Sequence, residues 1–397
     1  MKYSLLENAF SKKDINAGIK VIKSKQLTMS KITKRFEEYF AKKIGAKFAL
    51  MVNSGSSANL LALSAITNPM YNKKLKQNDE VLIPAVCWST SLWPIIQLGL
   101  KPVFVDVDIE TLNISIDDLE KKITNKTKAL MCIHILGISS NMQKIQKICK
   151  KKNIIIIEDT CESLGAKYKN KYLGTVGQFG TFSFYFSHQI TSGEGGMIVC
   201  DNIHNYNILK TLRSHGWSRD TYFHEKYKKK YKNLNDKFLF INSGYNLRPT
   251  EIQAAIALNQ FKRLNIFKKI RQENRDKIIF NLKSSKIWNN QFDFVKINKF
   301  MKPSWFGLAI LINNKYLHKK NKFINFLNKI GIENRPILSG NFLNQPAAKL
   351  YKLDNKKIFP KADEVEKRGF FIGLHTKKMS NKEIKFLCNN LLKIEKI

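Results

Sequence analysis

The chain has 397 residues, 43% of them hydrophobic, enough for a substantial core spread over roughly two to three domains. Its formal charge of +38 comes from lysines scattered through almost every polar segment, KYKKKYK (Lys226 to Lys232) included. That distribution reads as a composition bias and argues against a nucleic-acid partner, although a basic protein still attracts an anionic substrate. The N-terminal MKYSLLENAFSKKD lacks an apolar signal core and no run approaches the ~18 apolar residues of a membrane span, so a cytoplasmic protein with no membrane partner is expected. Six dispersed cysteines form no CxxC pair, which predicts reduced thiols and no metal site.

From Phe48 to Cys200, short apolar runs alternate with helical periodicity, the pattern of an α/β domain with a mostly parallel sheet and crossover helices. Seven runs are predicted as strands: KFALMV, DEVLIPA, PVFVDV, KALMCIHI, NIIIIED, GTFSFYF and GGMIVC. The first runs into Asn53-Ser54-Gly55-Ser56-Ser57 and a helix. Amides and hydroxyls at a helix N-terminus cradle an anion, though an ordinary N-cap has the same signature. Trp88 follows the second strand and reads either as a stacking platform for a planar ring or as core. Asp159 and Glu162 close the fifth run. A carboxylate at the C-terminal end of such a strand lies in the crevice where open α/β sheets bind ligands, and the alternative is an acid favoured by a helix N-terminus.

Between Asn205 and Phe240 the sequence turns charged and aromatic, which predicts a long surface excursion, and residues 248–279 then read as one long helical stretch. WFGLAILI as a strand, with KNKFINFLNKIGI and NKEIKFLCNNLLKIEKI as amphipathic helices, predicts a smaller α+β domain. The expected division is 1–265, with an N-terminal arm over 1–31, and 266–397.

The segment from Gly180 to Cys200, GTFSFYFSHQITSGEGGMIVC, resembles the cofactor-anchoring segment of the DegT/DnrJ/EryC1/StrS sugar aminotransferases, and the likeness runs from about Ile32 to the C-terminus. It implies a fold-type I transferase dependent on pyridoxal 5′-phosphate. In that family the residue five places before GEGG is the lysine that tethers the cofactor. Here that residue is His188, and no lysine occurs between Lys171 and Lys210. Imidazole cannot form the tether, but with an ordinary pKa of about 6.5 it exchanges protons near neutrality.

The resemblance is nearest to a branch that removes a sugar hydroxyl instead of installing an amine. It implies pyridoxal or pyridoxamine phosphate held without a covalent bond. Gly55, Ser56, Ser57 and Ser183 would meet the phosphate, Trp88 the ring, Asp159 the pyridinium nitrogen and Glu162 the 3′-hydroxyl. Asn246, in GYN, would reach the phosphate of a neighbouring subunit in a homodimer with shared sites. His215, Arg219 and Arg335 are the substrate candidates, a guanidinium suiting carboxylate recognition.

The implied reaction takes an amino group from L-glutamate and removes the C3 hydroxyl of a nucleotide-linked 4-keto-6-deoxy hexose, GDP-linked by resemblance alone, with His188 carrying the proton. Two other readings stay open: a nucleotide-sugar aminotransferase using another base, and a cofactor-binding partner protein without catalysis. Iron–sulfur relatives that also use histidine bear a cysteine cluster after the GEGG region, whereas here no cysteine lies between Cys200 and Cys388.

Overall fold

In a computed structural model the chain is described at residues 1–7, 10–353 and 358–397. All seven predicted runs are strands: β1 (Phe48–Val52), β2 (Glu80–Pro84), β3 (Lys101–Val105), β4 (Thr127–Ile133), β5 (Ile155–Asp159), then, after the short hairpin β6 (Lys167–Tyr168) and β7 (Lys171–Tyr172), β8 (Phe179–Ser183) and β9 (Gly196–Cys200). They form one sheet in the order β1-β9-β8-β5-β4-β2-β3. Six of its strands run in one direction and β9 alone runs against them. Every residue of β2, β8 and β9 is buried, as expected where helices cover both faces, and this is why these strands read as unbroken apolar runs.

The helices are α1 (Lys12–Ser24), α2 (Lys31–Ile44), α3 (Gly55–Thr67), α4 (Ser89–Gln97), α5 (Ile116–Lys122), α6 (Met142–Lys152), α7 (Ile203–Arg213), α8 (His224–Lys230), α9 (Glu251–Phe261) and α10 (Leu264–Lys283). In the C-terminal third, β10 (Phe292–Phe294), β12 (Gly307–Ile312), β13 (Asn334–Arg335) and β14 (Gly369–Gly373) make an antiparallel sheet ordered β10-β12-β14-β13, while β11 (Met301–Lys302) joins the hairpin β6-β7. The predicted amphipathic helices there are α11 (Lys320–Lys329), ended by Gly331 at φ +79°, and, after α12 (Pro346–Leu350) and α13 (Pro360–Arg368), α14 (Asn381–Leu391). No helix among the described residues is long and apolar enough to cross a membrane.

Two segments depart from the sequence reading. The stretch expected as a surface excursion from Asn205 begins inside α7, whose Ile208, Leu209 and Leu212 are buried; single apolar residues among lysines and asparagines had masked that face. The single helix expected over 248–279 is two, broken at Lys262–Arg263. No glycine or proline marks the break. Arg263 instead turns to donate to both carboxylate oxygens of Asp14, at 2.7 and 2.6 Å, so a long-range ion pair with a fully buried acid sets the kink.

The chain's first residues lie across the C-terminal sheet. The Tyr3 hydroxyl donates to the Gly373 carbonyl at 2.8 Å, and Leu5 N–H donates to Glu333 at 3.0 Å.

Candidate active site

β1 and β8 both pair antiparallel with β9, so they run parallel to each other, and Gly196 stands between Val52 and Ser183 in the register. The C-terminal ends of β1, β5 and β8 therefore open on one edge of the sheet. Ser54 caps α3 there by accepting the Ser57 N–H at 3.1 Å. Close approach requires glycine at two points. A Cβ on Gly196 would stand 2.3 Å from the Ser54 carbonyl oxygen, and one on Gly55 would stand 2.5 Å from Ser183 Cβ. The helix N-terminus is thus drawn against Ser183.

A cavity of about 970 Å³ opens on this edge, a size suited to a ligand as large as a cofactor with substrate. Gly55, Ser56, Trp88, Asp159, Glu162, Ser183, His188 and Arg335 all line it. Residues more than a hundred positions apart thus share one wall. Trp88 is 55% exposed, which sets aside the core reading of its indole.

Asp159 is buried at the end of β5. One carboxylate oxygen accepts from Ser91 Oγ at 2.7 Å and Asn59 Nδ2 at 2.8 Å, and the other from the Cys161 N–H at 3.1 Å. These donors are all neutral, so the carboxylate is oriented while no cationic side chain among its described partners pairs with it. Thr181 donates to Asn59 Oδ1 at 2.6 Å and fixes the carboxamide in turn. Glu162 accepts the Leu136 N–H at 2.9 Å; burial, reinforced by the charge of Asp159, pushes its pKa up to about 7. Near neutrality it can therefore donate or accept a hydrogen bond.

His188 sits in the turn after β8, its ring edge-on to Phe306 (centroids 5.3 Å apart) and Tyr185 (5.9 Å). Its Nδ1 is buried without a hydrogen-bond partner. Burial lowers the imidazole pKa to about 4, so at pH 7 the ring is neutral and can accept a proton.

Four predicted residues lie off the cavity wall. Ser57 is buried in the cap of α3. Asn246, His215 and Arg219 form a separate cluster around Trp217 and Arg248. Arg248 donates to Asn246 Oδ1 at 3.1 Å and lies 3.2 Å from His215 Nε2, while the Arg219 guanidinium stacks 4.8 Å from the Trp217 ring. Missed by sequence reasoning were Asn59, Ser91 and Thr181, which orient Asp159, and Ser4, Leu5 and Glu333, which also line the cavity. Asn59 left one trace, a carboxamide inside the apolar helix NLLALSAI; the others left none.

These residues suit a pyridoxal-type cofactor. A glycine-enabled helix N-terminus beside two serines fits its phosphate, a buried carboxylate with only neutral donors fits a protonated ring nitrogen, and the unpartnered imidazole nitrogen points to a missing polar partner.

The model of the DegT/DnrJ/EryC1/StrS aminotransferase family matches residues 8–392. GDP-4-keto-6-deoxy-D-mannose 3-dehydratase of Escherichia coli O55:H7 is 38% identical over 380 residues, 94% of this chain and 96% of that protein. The solved E. coli GDP-4-keto-6-deoxy-D-mannose-3-dehydratase with bound hydrated PLP superposes with a TM-score of 0.87 at 35% identity, covering 98% of this chain and 99% of the other. A second structure of that enzyme, with a trapped PLP-glutamate geminal diamine, has a TM-score of 0.86 at 35% identity over 98% of this chain and 100% of the other.

Proposed function

We infer the function from one premise: the chain belongs to the DegT/DnrJ/EryC1/StrS aminotransferase family. It is a pyridoxal-phosphate-dependent 3-dehydratase of a nucleotide-linked 4-keto-6-deoxy sugar, GDP-4-keto-6-deoxy-D-mannose. The observation that carries this reading is a cavity lined by a neutral imidazole and by no lysine among the described residues.

The cofactor supplies, when bound, an amine that condenses with the sugar ketone and a ring that takes up electrons. L-Glutamate leaves as 2-oxoglutarate, and its two electrons replace the C3–O bond of the sugar by C–H while the amine nitrogen departs as ammonia. Asp159 holds the proton on the ring nitrogen. Ser56, Ser183 and the N-terminus of α3 bind the phosphate, with Gly55 permitting their approach. Trp88 would stack on the ring and Glu162 would meet the 3′-hydroxyl, both lining the cavity. His188 removes the proton at the C4′ carbon and protonates the departing C3 oxygen. Arg335 meets a substrate carboxylate or hydroxyl. Asn246, with His215 and Arg219 beside it, lies off the cavity of its own chain and serves the site of a second copy in a homodimer. Residues 1–265 carry the cofactor sheet and 266–397 the four-stranded one, a division supported by each of these two sheets falling wholly on one side, while the small third sheet β11-β6-β7 ties the two parts together.

Incubation with GDP-4-keto-6-deoxy-D-mannose, L-glutamate and pyridoxal phosphate should yield ammonia and a sugar lighter by one oxygen, read by mass. An amino sugar without ammonia would instead indicate transamination. His188→Asn should lower the rate by about 10²- to 10⁴-fold, the range for a general acid-base group, with cofactor binding intact. Dehydration at the parental rate in that variant would remove His188 from the mechanism.

A further inference from the structure

Arg271, on α10, is 2% exposed and is paired with no carboxylate among the described residues. A buried guanidinium without a counter-ion is costly and asks for a reason. Its Nε donates to the carbonyl of Leu374, just past β14, at 2.9 Å, and its Nη2 donates to the carbonyl of His188 at 3.4 Å. Both acceptors are main-chain oxygens. A planar fork of donors holds two such acceptors in a fixed relation, which a flexible ammonium does not.

The geometry points to Arg271 as a positioning residue for His188: it anchors the main chain of the His188 turn to the end of β14 and sets a permanent positive charge beside the imidazole. This rests on the reading of His188 as the proton carrier.

The turn is held from other directions as well, which explains why the arginine matters. The Gln189 carboxamide donates to the carbonyls of Glu162 and Ser304, the latter at 3.2 Å, and Phe306 and Tyr185 hold the ring edge-on. Those contacts fix residue 189 and the imidazole plane. Among the described residues, only Arg271 donates to the carbonyl of residue 188.

The charged and titratable groups sharing the cavity with the imidazole are His134, Asp159, Cys161, Glu162, Tyr185, Glu194, Glu333 and Arg335, with Arg271 reaching its turn from α10; Phe306 is neutral. Burial is the main reason the imidazole pKa is low. Asp159 pulls it upward and Arg271 pushes it down. Burial lowers the arginine's own pKa only to about 10, so it remains a cation at neutrality. Without it the pull of Asp159 is opposed by burial alone, and the imidazole protonates at higher pH.

The test uses cofactor-free protein labelled with carbon-13 histidine. The His188 resonance is assigned by its loss in His188→Asn and titrated in the parent, Arg271→Gln and Arg271→Lys. In Arg271→Gln the His188 midpoint should rise above the parental one while burial keeps it below the ordinary value of about 6.5, and in Arg271→Lys it should stay near the parental one. In the holoenzyme the acid limb of kcat should move up with the Gln substitution. The Lys substitution should lower kcat about tenfold, with KM for the nucleotide sugar unchanged, because a single ammonium cannot hold both carbonyls. An unchanged His188 midpoint in folded Arg271→Gln, or parental kcat in Arg271→Lys, overturns the assignment. Should Arg271→Gln fail to fold, the Lys variant decides alone. The titration is read without substrate, so full turnover in His188→Asn, which would sink the base, is a separate result.

Discussion

A lysine at position 188 would offer the cofactor a covalent bond; the histidine there offers only a proton site, and none of the described residues lining the cavity is a lysine. Cofactor bound to the resting protein should therefore be lost on dialysis and leave every lysine unlabelled after borohydride reduction, as read by peptide mass. A labelled lysine would mean that the tether had moved elsewhere. Glu162 gives a second residue-scale prediction. Its carboxyl titrates near 7 in the folded protein but near 4.3 in the unfolded chain, so the native state holds a proton that the unfolded state has released between those values. The sign follows from linkage: the contribution of Glu162 to stability is fully present below about pH 4.3 and is lost as pH rises through 7. In cofactor-free protein, Glu162→Gln can still accept the Leu136 N–H but has no charge to bury. Its melting temperature relative to the parent should rise from pH 5 to about pH 7 and level off by pH 8. A constant difference across that range would exclude burial of the charge as the cause.

Among the elements, the decisive contact is that of α3 with β8. Gly55 has ordinary helical geometry, so alanine there would favour the helix by about 1 kcal/mol on propensity alone. Its Cβ, however, would stand 2.5 Å from Ser183 Cβ and 3.0 Å from Cys161 Sγ, inside van der Waals contact with a buried strand end. Overpacking of this kind costs about 1 to 3 kcal/mol. Gly55→Ala should thus leave the helix formed and move its N-terminus off Ser183. Cofactor affinity, followed by absorbance, should fall about tenfold, in line with a misplacement of an ångström or less at a binding element. Parental affinity would show that the phosphate does not depend on this approach. The break between α9 and α10 belongs to the same scale: it places Arg271 with its fork toward the His188 turn, and it is set by Asp14, more than two hundred residues earlier.

At the scale of the whole molecule, the Asn246 cluster lies apart from the cavity of its own chain, with the exposed Phe238 and Phe240 nearby in sequence and Phe240 packed near Trp217. The shared site proposed for a twofold dimer would account for this separation. Co-expressed Asn246→Ala and His188→Asn chains would then form mixed dimers in which one of the two sites is intact. At limiting cofactor these should recover about a quarter of parental turnover through random pairing of subunits. No gain over the separate variants, or a fully active monomer by sedimentation, would assign Asn246 a role within its own chain.

Strand identity and the cofactor motif were legible along the chain because both are local. A strand buried on two faces must be apolar at every position, and an anion cradle must place glycine and serine next to a helix start, so neighbours in sequence carry the signal. His188 was legible for the same reason, standing at a fixed offset from GEGG. The hidden half of α7, the break at Arg263 and the donors around Asp159 depended on partners distant in sequence, as did the coupling of Arg271 to the His188 turn. An arginine within KKIRQENR looks like its solvated neighbours, since nothing local distinguishes a side chain that will be buried between two carbonyls from one that will face water. Only the packing of α10 against the end of β14 and the His188 turn decides which it is, because burial and hydrogen-bond geometry are properties of the assembled surfaces and not of the segment that supplies the residue.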